Sequence, residues 1–413
     1  MKLIKPLLLV VAMLVLADFA FAQNWTLATT ITNVAQYSSQ GELLMSVASS
    51  ADGNKLAAGV WNSFNVEVPI LSPLYKSTDS GATWLPRFSY QDGFGSFGFN
   101  DWGAWNFIVS SADATKLTVI SEEESLVYAS TNSGIDWAQV SPPGYGLPGP
   151  IACSADGHIL LAVDANQCLS VSTNSGTSWT PGTDSEIWTS VTVSADGNKM
   201  VATSAGRPDA IEVSTNCGVS WSPTLCPGWF WTSVACSADG QKLVATGNNP
   251  YGGIATSTNA GTTWTITIAP DTNWISVASS ADGSVLVAAV TGGQLYTSTN
   301  SGDSWTESSL PPCTNWNQVV SSADGGNLVA ISADGKIYTA QFIRQPALLV
   351  QASGSALTIS WTVPSTDFVL QQSADLISWA NVTNPPVLNC INLQNQVILP
   401  AASGSCFYRL KTP

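Results

Sequence analysis

Outside its turn-like segments the chain carries carboxylates of a kind suited to sugar hydrolysis: Glu67, Asp92, Asp101 and the run Glu122, Glu123 and Glu124. Two such groups flanking a glycosidic bond, one as acid and one as base or nucleophile, are what that reaction asks of a protein. The run lies in "SEEES", whose plainer reading is a solvated loop. Other chemistries are poorly supplied. His158 is the one histidine, and the eight cysteines contain no Cys-x-x-Cys pair, so no metal and no cofactor is expected. The arginines are Arg87, Arg207, Arg344 and Arg409.

The elements that must position these groups begin after a leader. Met1 to Lys5 and "PLLLVVAMLVLADFAFAQ" combine a basic start, an apolar run and small residues at Ala20 and Ala22, which reads as a signal peptide over 1–22. As a membrane anchor the run is short and interrupted by Asp18, and no later segment is long and apolar enough to span a bilayer. Cleavage moves the formal charge from −15 to −16. A chain so poor in Lys and Arg is not expected to bind nucleic acid. Abundant Ser, Thr, Gly, Val and Trp indicate an all-β protein, secreted to the periplasm or beyond, expected as a monomer.

Repeats organise the mature chain. "STDSGATW" begins at Ser77, "STNSGIDW" at Ser130, "STNSGTSW" at Ser172, "STNCGVSW" at Ser214, "STNAGTTW" at Ser257 and "STNSGDSW" at Ser298. A second signature, "SADG", places aspartates at Asp52, Asp156, Asp196, Asp239, Asp282 and Asp324, with "SADA" at Asp113. Between these turns lie short runs of β-branched and small residues, four per unit, as four antiparallel strands require. A period of about 42 residues implies a β-propeller with seven blades, spanning 23–342. The seventh unit lacks its box and reads "IYTAQFIRQP", whereas "NWTLATTI" at the mature N-terminus looks like the strand after a box, with Trp25 matching Trp264. The N-terminal strand is therefore expected to complete the last blade and close the ring.

The eight-residue motif resembles the Asp-box of sialidases, Ser-x-Asp-x-Gly-x-x-Trp. In that motif Ser77, Asp79, Gly81 and Trp84 are matched by Ser130, Asn132, Gly134 and Trp137, by Ser172, Asn174, Gly176 and Trp179, and by Ser214, Asn216, Gly218 and Trp221. Ser257, Asn259, Gly261 and Trp264, then Ser298, Asn300, Gly302 and Trp305, complete the set. Asn in five of six copies departs from the pattern but supports the same short-range turn bonds, so the boxes read as structural. From Asn24 to about Phe342 the chain resembles the Asp-box propellers, which include sialidases, xyloglucan-cleaving glycoside hydrolases, the sortilin luminal domain and photosystem II assembly-factor propellers. The sialidase resemblance would imply three arginines around a substrate carboxylate. Only Arg87 and Arg207 lie in the propeller, and the nearest match to the family's Phe-Arg-Ile-Pro segment is "LPRFS". Sialidase activity is not expected.

Connection lengths locate a site. From a box Trp to the next SADG Asp takes 17 to 19 positions in ordinary units, but 29 from Trp84 to Asp113 and 27 from Trp25 to Asp52. From Asp52 to Ser77 takes 25 where others take 16 to 18. With SADG joining strands A to B and the box joining C to D, all three long connections share the side opposite the repeated turns. They contain "GVWNSFNVEVPILSPL" and "DGFGSFGFNDWGAW", rich in aromatics, Gly and Asn. Loops on a rigid scaffold concentrate binding residues, and Trp61, Phe64, Tyr90, Asp92, Asp101 and Trp102 are the expected contacts for a glycan or an extracellular protein. Trp105, Trp188, Trp231, Trp274 and Trp316, eight positions before their SADG aspartates, read as packing between blades rather than as ligand contacts. The resulting expectation is a non-catalytic binding or scaffold propeller, with a xyloglucan-cleaving hydrolase as the alternative.

After "FIRQPALLVQASGSA" the period stops, and 343–413 reads as a small β-sandwich-like domain resembling appendages of secreted bacterial proteins. Its "SADL" at Ser373 reads as a chance echo of the repeat. Cys390 and Cys406 share this small segment and are expected to pair, whereas Cys153 and Cys236, standing where other repeats have Ser, read as small core residues.

Overall fold

The computed structural model describes residues 25–30, 43–61, 74–86, 105–121, 126–140, 149–182, 185–206, 211–224, 226, 230–248, 252–310, 315–342, 348–353, 356–362, 368–389, 393–400 and 406–411. Among them every regular element is a strand.

Each repeat folds into its own antiparallel meander. In the sixth, strands Trp274–Ser279, Leu286–Val290, Leu295–Ser298 and Thr306–Glu307 pair in chain order. The second strand, "LVAAV", is buried along its whole length, because a sheet lies over each face and an unbroken apolar run serves both. The fourth strands are short and exposed, and two of them, Leu85–Pro86 and Ser222–Pro223, end in proline, which withholds a donor from any further strand. The third repeat forms three strands, and the isolated bridge Val171–Thr180 holds the place of its fourth.

The repeat without a box supplies Trp316–Ser321, Asn327–Ser332 and Lys336–Gln341, and its outer partner is the N-terminal strand Thr26–Thr30. Thr26 lies opposite Thr339 and Thr30 opposite Lys336. Trp25 is buried with Val287 and Leu295 of the sixth sheet and Trp316 and Leu328 of the seventh, the position Trp305 holds one interface earlier.

Cores lie between neighbouring sheets. One of them joins Val47, Leu56 and Tyr75 of the first sheet to Val329, Ile331 and Ile337 of the seventh. The five innermost strands with a Trp at or next to their start carry a bulge between that Trp and the residue two on, as between Trp231 and Ser233. The serine beyond the bulge accepts a hydrogen bond from the next sheet: Val277 N–H reaches Ser233 Oγ at 3.1 Å, and Val319 N–H reaches Ser276 Oγ at 3.1 Å. Between the last sheet and the first, Gln318 Oε1 takes that role, accepting from Val47 N–H at 2.8 Å.

At the SADG end the alanines form a closed cycle of backbone hydrogen bonds. Ala51 N–H donates to Ala112 O, and the cycle continues through Ala155, Ala195, Ala238, Ala281 and Ala323, whose N–H returns to Ala51 O at 2.7 Å. A small side chain is required where so many turns converge.

The remaining described strands form two sheets around Ile359, Trp361, Leu370, Val397 and Leu399. The "SADL" segment is a functioning box-type turn, not an echo. Ser373 Oγ donates to Asp375 Oδ1 at 2.9 Å, Ser378 N–H donates to the same oxygen at 2.8 Å, and Trp379 Nε1 donates to Leu376 O. "SADLISW" is one residue shorter than the propeller boxes, so Leu376 alone takes the left-handed conformation, at φ 62°.

Candidate functional site

The repeated turns form one side of the ring. In the first box Ser77 Oγ accepts from Gly81 N–H at 2.9 Å and donates to Asp79 Oδ1 at 2.8 Å. Asp79 in turn accepts from Thr83 N–H and Thr83 Oγ1, and Trp84 Nε1 donates to Gly81 O. The Asn boxes keep this geometry: Asn174 Oδ1 accepts from Ser178 N–H at 2.8 Å, while its Nδ2 donates to Ser178 Oγ at 2.8 Å. Two successive residues, Ser175 and Gly176, take positive φ, and an N–H of the box docks on the SADG turn of the same sheet, as Ser175 N–H does on His158 O. The Ser and Asp or Asn acceptors of the boxes are used inside the turn, where they brace the fold.

The tail lies over the alanine cycle. Leu388 and Leu393, either side of the tip of the tail hairpin Val387–Asn389 and Gln394–Pro400, pack against Ala51, Ala112, Ala155, Ala195 and Ala323. The axis is thus covered on the turn side.

On that other side, the strand Leu56–Trp61 ends with Trp61 opposite Leu43, and the long connections leave from Trp61 and from Pro86 to re-enter at Leu74 and Trp105. Gly59 fixes this junction: a Cβ there would lie 2.5 Å from Trp105 O, so only glycine admits the close approach of the first two sheets. Of the expected contacts, the backbone of Trp61 is described, while Phe64, Tyr90, Asp92, Asp101 and Trp102 lie outside the described residues. So do Glu67, Glu122, Glu123, Glu124, Arg87 and Arg207.

Trp105, Trp188, Trp231, Trp274 and Trp316 are all buried, packed into the cores between sheets. The residues immediately before two of them are different: Ile187 is 58% exposed and Phe230 41%. Neither position is among the expected contacts. Their signal was available, since a residue adjacent to a buried strand-starting Trp faces the opposite way.

Among the described residues Cys153, Cys217, Cys236 and Cys406 are thiols. Burial pushes the Cys153 thiol up to about 12 and the Cys236 thiol up to about 11, so both are inert core groups. Cys390 lies outside the described residues, and Cys406, its expected partner, is a half-buried thiol beside Tyr408. Among the described residues no group of His, Cys, Asp or Glu is placed to hold a metal ion, and no helix is long and apolar enough to cross a membrane.

Solved structures share this architecture. YCF48 from Cyanidioschyzon merolae matches 77% of this chain and 98% of its own at TM-score 0.57 and 17% identity. YCF48 bound to D1 peptide matches 79% and 99% at TM-score 0.56 and 16% identity. The GH74 xyloglucanase from Xanthomonas campestris matches 82% of this chain and 59% of its own at TM-score 0.57 and 15% identity. No protein-family model and no curated protein sequence matches the chain. The likeness shows a β-propeller fold.

Proposed function

We propose that the chain is a seven-bladed, secreted propeller over 23–342 with a small β domain over 343–413, acting as a non-catalytic binding module. The observation that carries this reading is the separation of the two sides. Turns and tail occupy one, whereas three long connections, two of them aromatic-rich by sequence, flank or lie within the first sheet on the other. A loop cluster on a rigid ring is how a scaffold presents a binding surface. Structural relatives include both a peptide-bound protein and a xyloglucanase, so the hydrolase is the reading to set against it.

Purified mature protein on a glycan array and with soluble xyloglucan separates the two. Retention of a glycan or protein without turnover supports the module. Release of reducing ends that disappears in Asp92→Asn or Asp101→Asn makes it a hydrolase. Trp61→Ala with Trp102→Ala is expected to weaken a retained ligand by roughly tenfold or more with little change in Tm.

A further inference from the structure

The repeats act as one another's controls. Immediately before each box serine the sequence places Lys76, Ala129, Val171, Val213, Thr256 and Thr297. In later sheets a methyl group from this position lies against the glycine of the next box, Val171 on Gly218, Val213 on Gly261 and Thr256 on Gly302. The first sheet has a lysine there. Its stem lies on Gly134 and its ammonium donates to Ser133 O. Placing a charge in a gap between sheets that elsewhere takes a methyl carries a desolvation cost, so packing alone does not account for Lys76.

The gap itself is also different. Between the fifth and sixth sheets Lys242, Thr256 and Gly283 border a cavity of about 10 Å³, whereas their counterparts Lys55, Lys76 and Ala114 border one of about 90 Å³ between the first and second. One water needs about 10–15 Å³ of such space, so the narrow cavity is at that limit and the wide one well above it. Leu56, Ala57 and Leu117 give the wide cavity an aliphatic wall. Lys55 Nζ donates to Asp113 O at 2.9 Å, and an ammonium carries three N–H donors, more than a single carbonyl takes. Carboxylates of the adjoining turns are engaged at home. Asp52 accepts from Ser50 Oγ and Asn54 N–H, Asp79 from Ser77 Oγ and Thr83 N–H, and Asp113 from Ser111 Oγ and Thr115 N–H.

We propose that this cavity binds a carboxylate carried on a short aliphatic stem, with the carboxylate at the Lys55 and Lys76 ammonium groups and the stem along Leu56 and Leu117. Two cations at one cavity repel, and an anion between them replaces that repulsion with attraction. A carboxylate accepts charge-assisted hydrogen bonds from both, and the aliphatic wall favours an acid with a stem over a bare inorganic anion. A free short-chain acid and the glutamate side chain of a partner both offer this chemistry. The site lies on the turn side, apart from the long connections, and stands whether or not those hold a ligand.

The probe is sodium propionate, with propionamide as its neutral isostere, titrated into the mature protein and read by calorimetry and by Tm. Because the chain carries a formal charge of −15, the titrations are run at about 0.15 M ionic strength, where exposed charges beyond about 8 Å are largely screened. Propionate is expected to bind saturably and raise Tm, and propionamide to do neither. Lys76→Thr, which installs the residue the fifth repeat has there, and Lys55→Met should each weaken propionate roughly tenfold or more, whereas Lys242→Met at the narrow cavity should not. Should Lys76→Thr melt early, Lys55→Met decides alone. Acetyl-Gly-Glu-Gly-amide separates the sources: binding tighter than propionate marks a partner's acidic side chain, weaker binding a free acid, and either supports the site. No saturable binding of propionate, an equal response to propionamide, propionate binding untouched by the Lys55 and Lys76 variants, or sulfate bound as tightly as propionate overturns the proposal. None of these outcomes bears on the binding-module reading, which Trp61→Ala with Trp102→Ala tests on the other side.

Discussion

Single residues show how the turns tolerate variation and where they do not. Gly53 and its counterparts take positive φ, but the SADA turn puts Ala114 there at 55°, a conformation that costs an L-residue about 1 kcal/mol. Ala114→Gly is expected to raise stability by about 0.5–1 kcal/mol, read as a higher midpoint in urea. Ser172 is fully buried and its Oγ serves Gly176 N–H at 2.9 Å. Ser172→Ala strands that donor and should cost about 1–3 kcal/mol. Titration follows the same bonds. Hydrogen bonds from the Thr83 side chain, its N–H and Ser77 hold the Asp79 carboxyl below its ordinary value, and the N–H groups of Ser378 and Ile377 lower Asp375 to about 2. Both pKa values are depressed on folding, so their stabilisation is present above the unfolded value of about 3.9 and is lost as pH falls toward 2. Asp79→Asn with Asp375→Asn should flatten the fall of Tm over that range, because Asn keeps the bond geometry without the titration. A fall as steep as the parent's would show that other carboxylates dominate.

At the scale of elements, the N-terminal strand is the ring's fastening. Thr26–Thr30 completes the last sheet by backbone pairing, and Trp25 fills the gap between that sheet and its neighbour. Deleting 24–31 removes both and leaves Lys336–Gln341 as an open edge. The expected outcome is aggregation or a broadened melting transition, and an unchanged sharp transition would refute the fastening role. Gly59→Val tests the junction of the first two sheets, where a Cβ meets Trp105 O. It should destabilise the protein by several kcal/mol, since backbone must move.

Across the whole molecule, the tail and the ring meet through Leu388 and Leu393. Replacing both with Asp should undock the tail, giving faster cleavage by protease between 342 and 348 and a larger radius in small-angle scattering. Cleavage no faster than in the parent would mean that other contacts hold the two together. The docking also makes the molecule one-sided, with the tail over the turns and the long connections leaving from the opposite side.

Much of this was legible in the residues themselves. Box and SADG signatures are local hydrogen-bonding codes, so their period announces strands, turns and their shared side without any tertiary information. Trp25 reads as a box Trp because its following strand is spelled the same way. The "SADL" segment does not read as a box because it is one residue short of the propeller spacing. What the amino acids alone could not express is the meeting of distant segments. The alanine cycle closes only when Ala323 comes back to Ala51, and Leu388 finds that cycle through packing that no periodicity encodes. Exposure of Ile187 and Phe230 is half legible: each precedes a strand-starting Trp and so faces the other way, but only the placement of neighbouring sheets decides that the Trp is the one covered.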